Sequence, residues 1–400
     1  MRRPGKWAAI GAVLALASAV LLFSAAGAEG KATKGPIIIG AAMDLTSNMS
    51  PYDTPALYAV QAEVKKINAE GGVAGRKLQV KVCNHQLKFQ QACALKLIQQ
   101  GAVIGMVTCD VEYAAPAVQE FIKFGLLTLS PCIGTDQMGP KRFGPAGRLA
   151  FTLGNIAQDE GAAMAEYSYF RGWRTAVIVR DNLLAYFQNI ADAFKQRFTQ
   201  LGGRIVQEES FTSFSNTIQA AMTKVANTKA DVICFPTAFD GLAPFVGGLR
   251  QLGNNTPIIN SWGGDGNYWW PTNPQVKNYY YVTYGSIYGD DPVPAVNKLV
   301  KLVTAANGGK LPATGSFIPG ADLVDALVAA LKETHGSTRG GLLRKQFESF
   351  KNFPVTSGKI TYSKTVHGVT GRAYRVMFVN NNHAKFLRLW TTKKPANIGG

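Results

Sequence analysis

Apolar positions along the chain form a repeating series of short strands and amphipathic helices. Residues 37–43 are an unbroken apolar run, typical of a strand covered on both faces. Apolar residues three and four apart then predict a helix over residues 57–67, which Gly71 and Gly72 end. Alternating apolar positions at 78, 80 and 82 predict a second strand.

This alternation continues and starts afresh after a Gly- and Pro-rich passage at residues 134–147. The first series adds helices at 92–100 and 114–124 and strands at 103–107 and 126–129. The second series has strands at 176–179, 205–208, 232–235 and 257–261, with helices at 190–201, 217–226 and 241–252. Two series of similar size predict two doubly wound α/β lobes with mostly parallel sheets.

The remaining elements are too few for a third core. Periodicity predicts helices at 294–306, 320–334 and 340–350, then strands at 358–362, 373–379 and 385–390. We expect them to pack back onto the two lobes, so that the chain crosses between lobes more than once. The length of 400 residues agrees with two lobes, because one core rarely exceeds roughly 250 to 300 residues.

The N-terminus indicates export. Arg2, Arg3 and Lys6 precede an apolar run at residues 7–23, and small residues at 26–28 match a cleavage site. We predict a signal peptide over residues 1–28, cut after Ala28, with an uncleaved membrane anchor as the alternative.

The chain is strongly basic, with 42 Lys and Arg against 25 Asp and Glu and a formal net charge of +17. These residues are scattered through most predicted elements, whereas a nucleic-acid-binding protein concentrates them on one face. We expect no nucleic-acid partner, and at most a weak attraction to anionic envelope surfaces.

Enzymatic and cofactor motifs are missing from the sequence. It contains no GxxxxGK[ST], no GxGxxG after a strand, no HExxH and no GxSxG. We therefore expect neither an enzyme nor a bound cofactor. Cys83, His85 and Cys93 could hold a metal, but no second ligand pair completes the set, so we expect a disulfide or buried thiols there.

Ligands of open α/β sheets bind beyond the carboxyl ends of the strands. The segments expected there are residues 44–47, 109–110, 130–135, 181–187, 236–240 and 262–270. They offer hydroxyls, acids, aromatic rings and backbone amides, without a nucleophile beside a base. This composition predicts a binding cleft.

Residues 67–78, with the sequence INAEGGVAGRKL, resemble a helix-to-strand turn of the type I periplasmic solute-binding proteins, the leucine/isoleucine/valine-binding family of ABC importers. Further similar segments follow in the family's order at residues 104–108, 129–131, 202–206, 230–233 and 358–360. Each segment alone is a weak signal, but their order and spacing together are specific.

The resemblance implies two Rossmann-like lobes joined by three hinge strands, near residues 151–155, 282–285 and 354–358. On this basis we assign residues 35–150 with 286–354 to lobe 1, and 151–285 with 355–392 to lobe 2. The implied function is capture of an amino acid or related small polar or aromatic carboxylate by hinge closure. The resemblance further implies that the protein is a monomer located in the periplasm. Its implied partner is a membrane permease. Alternatives are a ligand-sensing receptor domain of the same fold, or binding of a neutral amide or cationic solute.

Family members hold the ligand carboxylate with a Ser and a Thr and the ligand amine with an acid. By position, the resemblance places the carboxylate at Cys109 and at Gly134 or Thr135, and the amine at Asp265. Tyr186 corresponds to the family's Tyr-Gly position. The alternative for Asp265, which lies between glycines, is that it caps a turn.

Asp110 departs from the family pattern, where a small neutral residue is usual. A protein acid there can cap the following helix and take the place of the ligand carboxylate, which would select a neutral or cationic solute. If Asp110 turns away from the cleft, a zwitterionic ligand remains the expectation. Four large aromatic residues follow the predicted strands, namely Phe187, Tyr268, Trp269 and Trp270. They favour an aromatic or otherwise planar solute; the alternative is that the two Trp side chains pack at the rim of the cleft.

The resemblance also implies a disulfide from Cys109 to Cys83 or Cys93, which would leave Cys132 and Cys234 as buried thiols. A bond between Cys109 and Cys132, at the ends of neighbouring strands, is the alternative.

Overall fold

The computed structural model describes residues 35–398, and the predicted signal peptide lies outside this range. The strands are β1 Ile37–Met43, β2 Leu78–Asn84, β3 Ile104–Val107, β4 Leu127–Ser130, β5 Ala150–Thr152, β6 Thr175–Asp181, β7 Arg204–Phe211, β8 Val232–Cys234, β9 Ile258–Asn260, β10 Tyr279–Thr283, β11 Phe353–Val355, β12 Gly358–Ile360, β13 Tyr374–Asn380 and β14 His383–Trp390. The helices are α1 Ser50–Ala69, α2 Gln90–Gln99, α3 Val111–Lys123, α4 Pro140–Phe143, α5 Ala157–Phe170, α6 Ala185–Gln200, α7 Ile218–Val225, α8 Leu242–Gln251, α9 Pro294–Ala306, α10 Pro319–Glu333 and α11 Gly340–Ser349. No helix within residues 35–398 is long and apolar enough to cross a membrane.

The first sheet is parallel throughout and has the strand order β2-β1-β3-β4-β5. Apolar side chains of α1, α10 and α11 pack on one face, and those of α2 and α3 pack on the other. Coverage of both faces explains why β1 is apolar along its whole length.

The second sheet has seven strands in the order β14-β13-β10-β9-β8-β6-β7. Strands β6 to β10 are parallel, while β13 and β14 extend the edge as an antiparallel hairpin. Helices α5 and α6 cover one face, and α7 and α8 cover the other. The predicted fold class of two doubly wound lobes is confirmed. The residue ranges that we assigned to each lobe stay a prediction.

Periodicity did not predict α4, α5, β5, β10 or β11, and the two longest of these, α5 and β10, are buried over most of their length. All residues of α5 from Ala157 to Ser168 are buried, so this part of the helix has no solvent-exposed face, and its apolar residues show no helical period. Strand β10 is buried in full between β9 and β13.

A buried arginine lies where the chain passes between the two sheets. Nε of Arg372 donates to Oδ1 of Asn155, just after β5, at 2.8 Å, and Nη2 donates to the carbonyl oxygen of Leu153. Nη1 donates to Oγ of Ser357, between β11 and β12, at 2.9 Å. The guanidinium also lies 4.8 Å from the ring centroid of Tyr284, just after β10. One side chain therefore contacts all three crossing segments.

The charge of Arg372 is balanced by Asp322 on α10, whose Oδ2 accepts from Nη1 at 2.5 Å. Both side chains are fully buried, and Ser357 donates its backbone N–H and its hydroxyl to the same carboxylate. Burial raises the pKa of Asp322 to about 6, although Arg372 opposes the shift. We call Arg372, Asn155, Asp322, Tyr284 and Ser357 the hinge hub.

The described chain contains two disulfides, Cys83–Cys93 and Cys109–Cys132, with Cα–Cα distances of 5.5 and 4.8 Å. The predicted bond from Cys109 to Cys83 or Cys93 is therefore wrong, and the alternative partner is confirmed. Strand β1 lies between β2 and β3, which keeps the Cys83 end of the sheet away from Cys109. By contrast, β3 and β4 are hydrogen-bonded neighbours. Cys132 is thus not a thiol, whereas Cys234 is free and buried.

Candidate functional site

The carboxyl ends of both sheets face a cleft whose lining comes from both lobes. The lining residues are Met49, Tyr52, Cys109 and Asp110 from the first lobe, and Leu184, Tyr186, Phe187, Ala238, Phe239, Trp262 and Gly263 from the second. Their side chains meet closely, leaving a cavity of about 10 Å³, the size of about one water molecule.

Tyr52, in the first turn of α1, reaches across this cleft. Its hydroxyl donates to the carbonyl oxygen of Gly263 at 2.6 Å and lies 2.8 Å from the hydroxyl of Tyr268. Its ring packs edge-on against Trp262, with centroids 5.3 Å apart. Burial raises the pKa of Tyr52 well above its usual value, so the hydroxyl stays protonated and able to donate.

The second lobe contributes a continuous aromatic surface, which we call the aromatic wall: Tyr186, Phe187, Phe239 and Trp262. The Tyr186 and Trp262 centroids are 5.0 Å apart, and those of Phe187 and Phe239 are 6.1 Å apart. Gly134, in the loop after β4, lies against this wall. A Cβ atom there would be 2.4 Å from a ring carbon of Tyr186, so only glycine allows the present approach of the loop.

Glu160, at the start of α5, lies behind the aromatic wall. Its Oε2 accepts from the hydroxyl of Tyr186 at 2.9 Å, and its Oε1 accepts from the backbone N–H of Trp262 at 2.8 Å. Glu160 is completely buried, which raises its pKa to about 8. Sequence reasoning missed this residue because α5 was not predicted. The acidic pair Asp159–Glu160, typical of a helix first turn, was the available signal.

Asp110 caps α3. Its Oδ1 accepts from the backbone N–H groups of Glu112 at 2.9 Å and Tyr113 at 3.2 Å, so the carboxylate occupies the helix N-terminus itself. Asp110 is only 4% exposed and still lines the cavity. Burial, and next the carboxyl of Glu112, raise the pKa of Asp110 well above its usual value.

Cys109 lines the cavity as a disulfide sulfur, so its side chain has no proton to donate. Its backbone N–H donates to Oδ1 of Asp53 at 3.0 Å. Neither the side chain nor the backbone N–H of Cys109 is therefore available to donate to a ligand carboxylate.

Thr135 and Asp265 lie outside the cavity lining. The hydroxyl of Thr135 accepts from the backbone N–H of Gln137 at 3.3 Å. Asp265 is buried and accepts from the hydroxyl of Thr283 at 2.5 Å and from the N–H of Gly315 at 2.7 Å. Burial raises the pKa of Asp265 to about 7. Of the predicted ligand-binding residues, Cys109, Asp110 and Tyr186 therefore line the cavity, and Gly134 contacts the ring of Tyr186.

Within residues 35–398, no group of three or more His, Cys, Asp or Glu side chains is placed to hold a metal ion. The sulfurs of Cys83 and Cys93 are bonded to each other, and so provide no thiolate beside His85.

The chain matches known proteins over most of its length. A family model described as "Periplasmic binding protein" matches residues 36–384. The Leu/Ile/Val-binding protein BraC3 of Rhizobium johnstonii is 23% identical over 334 residues, which cover 82% of this chain and 88% of that protein.

Solved structures with the same fold include the branched-chain amino acid transporter substrate-binding protein LivJ of Streptococcus pneumoniae, in complex with isoleucine. It has a TM-score of 0.74 at 20% identity and covers 88% of this chain and 99% of its own. An ABC transporter solute-binding protein of Rhodopseudomonas palustris, in complex with benzoate, has a TM-score of 0.72 at 18% identity, with coverages of 90% and 99%. Because the family model spans nearly all of the described residues, this chain belongs to the periplasmic binding protein family.

Proposed function

We propose that this protein is the periplasmic substrate-binding component of an ABC importer. It captures a small solute between its lobes by hinge closure and delivers it, chemically unchanged, to a membrane permease. The observation that carries this proposal is the cleft lining, which is shared between two lobes and bridged by the hydrogen bond from Tyr52 to Gly263.

The way in which the lobes are connected supports hinge closure. Three crossing segments meet at the hinge hub. Across the cleft, the lobes are joined by aromatic packing of Tyr52 and by a few hydrogen bonds, such as those of Tyr52 to Gly263 and of Gly315 to Asp265. Since the cavity holds only about 10 Å³, a solute enters when the lobes separate and is enclosed when they return.

The solute in this proposal is an amino acid or a related small aromatic compound. The relatives' names mention leucine, isoleucine and valine, and one structural neighbour holds benzoate. The aromatic wall offers flat apolar surface for a ring or a branched side chain. Asp110 already accepts from the first amides of α3, and Asp53 accepts from the backbone N–H of Cys109, so a carboxylate in this cleft needs other donors.

A thermal-shift screen of the disulfide-bonded protein, against amino acids, aromatic acids, amides and short diamines, tests the proposal. A solute at a hundred times its Kd stabilises the folded state by about 2.7 kcal/mol. Small-angle scattering with the best solute should then show a smaller radius of gyration. A screen without any stabilising compound, or scattering curves that superimpose, would contradict the proposal.

A further inference from the structure

We propose that the cleft recognises an organic cation, with the ammonium group at Asp110 and the carbon skeleton against the aromatic wall. This inference rests on the proposed function, because it concerns the solute of the same cleft. The proposed solute differs in charge from the leucine, isoleucine, valine and benzoate that are named for the relatives.

The cleft lining lacks the positive charge that characterises the whole chain. The formal net charge is +17, yet none of the eleven lining residues is Lys, Arg or His, and Asp110 is the one ionisable acid among them. Glu112, one turn into α3, adds a second carboxyl group close to Asp110. No lining residue offers a solute anion a cationic partner, and Arg142, which lies 3.5 Å from Glu112, is already paired with that carboxylate.

Within residues 35–398, each of the two carboxyl groups has one oxygen that accepts no hydrogen bond from a backbone N–H, a hydroxyl or a basic side chain, and the two carboxyl groups contact each other. The two amide hydrogen bonds of Asp110 go to Oδ1, and none goes to Oδ2. Oε2 of Glu112 is buried without a hydrogen-bond partner, while Oε1 lies 3.5 Å from Arg142. Buried carboxylate oxygens are normally paired, and an ammonium group provides three N–H donors, enough for both oxygens.

The rest of the lining suits the other parts of such a solute. Five lining residues are aromatic, namely Tyr52, Tyr186, Phe187, Phe239 and Trp262. The negative faces of aromatic rings attract cations, and Trp and Tyr are the strongest of the aromatic side chains in this respect. The same rings bury the apolar skeleton of the amine.

Three probes with one phenylethyl skeleton and different charges test the inference. Phenethylamine is a cation, phenylalanine a zwitterion and 3-phenylpropanoate an anion. Titration calorimetry of the disulfide-bonded protein should give phenethylamine the lowest Kd and 3-phenylpropanoate the highest.

Asp110→Asn is the informative variant, because Asn caps helices as well as Asp does and so preserves α3. The Kd for phenethylamine should rise on the order of ten- to a hundredfold, the usual loss for a hydrogen bond to a charged group. Asp192→Asn, which removes a carboxylate that is 47% exposed on α6, should change that Kd less than about twofold. Circular dichroism and thermal melting confirm that both variants are folded.

Two results would overturn the inference. One is tighter binding of phenylalanine or 3-phenylpropanoate than of phenethylamine, which would leave the proposed transport function supported. The other is an equal Kd for phenethylamine in the wild type and in Asp110→Asn. If none of the three probes binds, the cation inference fails, and the proposed function fails as well only when the wider screen also yields no solute.

Discussion

Replacement of Arg372 by Met should be among the most destabilising single substitutions in this protein. Met keeps most of the apolar stem and removes the guanidinium, with its hydrogen bonds to Asn155, Ser357, Asp322 and the Leu153 carbonyl. The Asp322 carboxylate then stays buried with only the two donors of Ser357. Loss of one partner of a buried ion pair costs roughly 3 to 5 kcal/mol of unfolding free energy.

The matched control is Arg148→Met, since Arg148 also pairs with a carboxylate, Glu348, at 3.2 Å. The Arg148 side chain is 43% exposed, so water replaces its contact, and the expected cost is at most about 1 kcal/mol. Urea unfolding at pH 7, followed by tryptophan fluorescence, compares the midpoints of the wild type and both variants. In the double variant Arg372→Met/Asp322→Asn, part of the stability should return because the unpaired charge is gone.

The reasoning would be refuted if Arg372→Met and Arg148→Met lost the same small amount of stability. It would also be refuted if the Asp322→Asn change gave no recovery in the double variant. Either result would mean that water reaches the hinge hub.

Three further substitutions have outcomes that follow from the cleft geometry. The raised pKa of Glu160 lets the folded state keep a proton that the unfolded state loses above about pH 4.5. The free energy of unfolding should therefore decrease as the pH rises from 4.5 to about 8. Glu160→Gln should flatten this decline in urea midpoints, and an unchanged slope would contradict the assignment. Tyr52→Phe removes the donor to Gly263 and should lessen the decrease in radius of gyration that solute causes, so an unchanged decrease would count against the bridge between lobes. Gly134→Ala displaces the Tyr186 ring and should weaken solute binding at least roughly tenfold, whereas Gly341→Ala, which has open space at its Cβ, should not.

Periodicity predicted most elements of both sheets because each amphipathic helix and each strand carries its own signal in the chain. The signal fails where an element is buried on all sides, as α5 is, and Glu160 was overlooked for that reason. The capping role of Asp110 could be foreseen, since a cap depends only on a residue and the two or three amides that follow it.

Long-range arrangements were harder to predict. The partner of Cys109 depends on the order of strands, and β1 is inserted between β2 and β3. The position of Asp265 depends on Thr283 and Gly315, which are distant in sequence and meet only in the folded protein. Neither arrangement leaves a local pattern in the sequence.

The Cys109–Cys132 disulfide has a practical consequence for the production of this protein. It joins the segments that follow β3 and β4, next to Asp110, so we expect the first lobe's part of the cleft to be held in place only after oxidation. A reducing cytoplasm keeps such bonds from forming, and with five cysteines, Cys234 can also exchange into wrong pairs while the chain is unfolded. Material made in the cytoplasm should therefore bind solutes poorly, whatever its true ligand. Mass spectrometry identifies the preparations that are suitable for binding assays, because the protein with both disulfides is lighter than the reduced chain by four hydrogens.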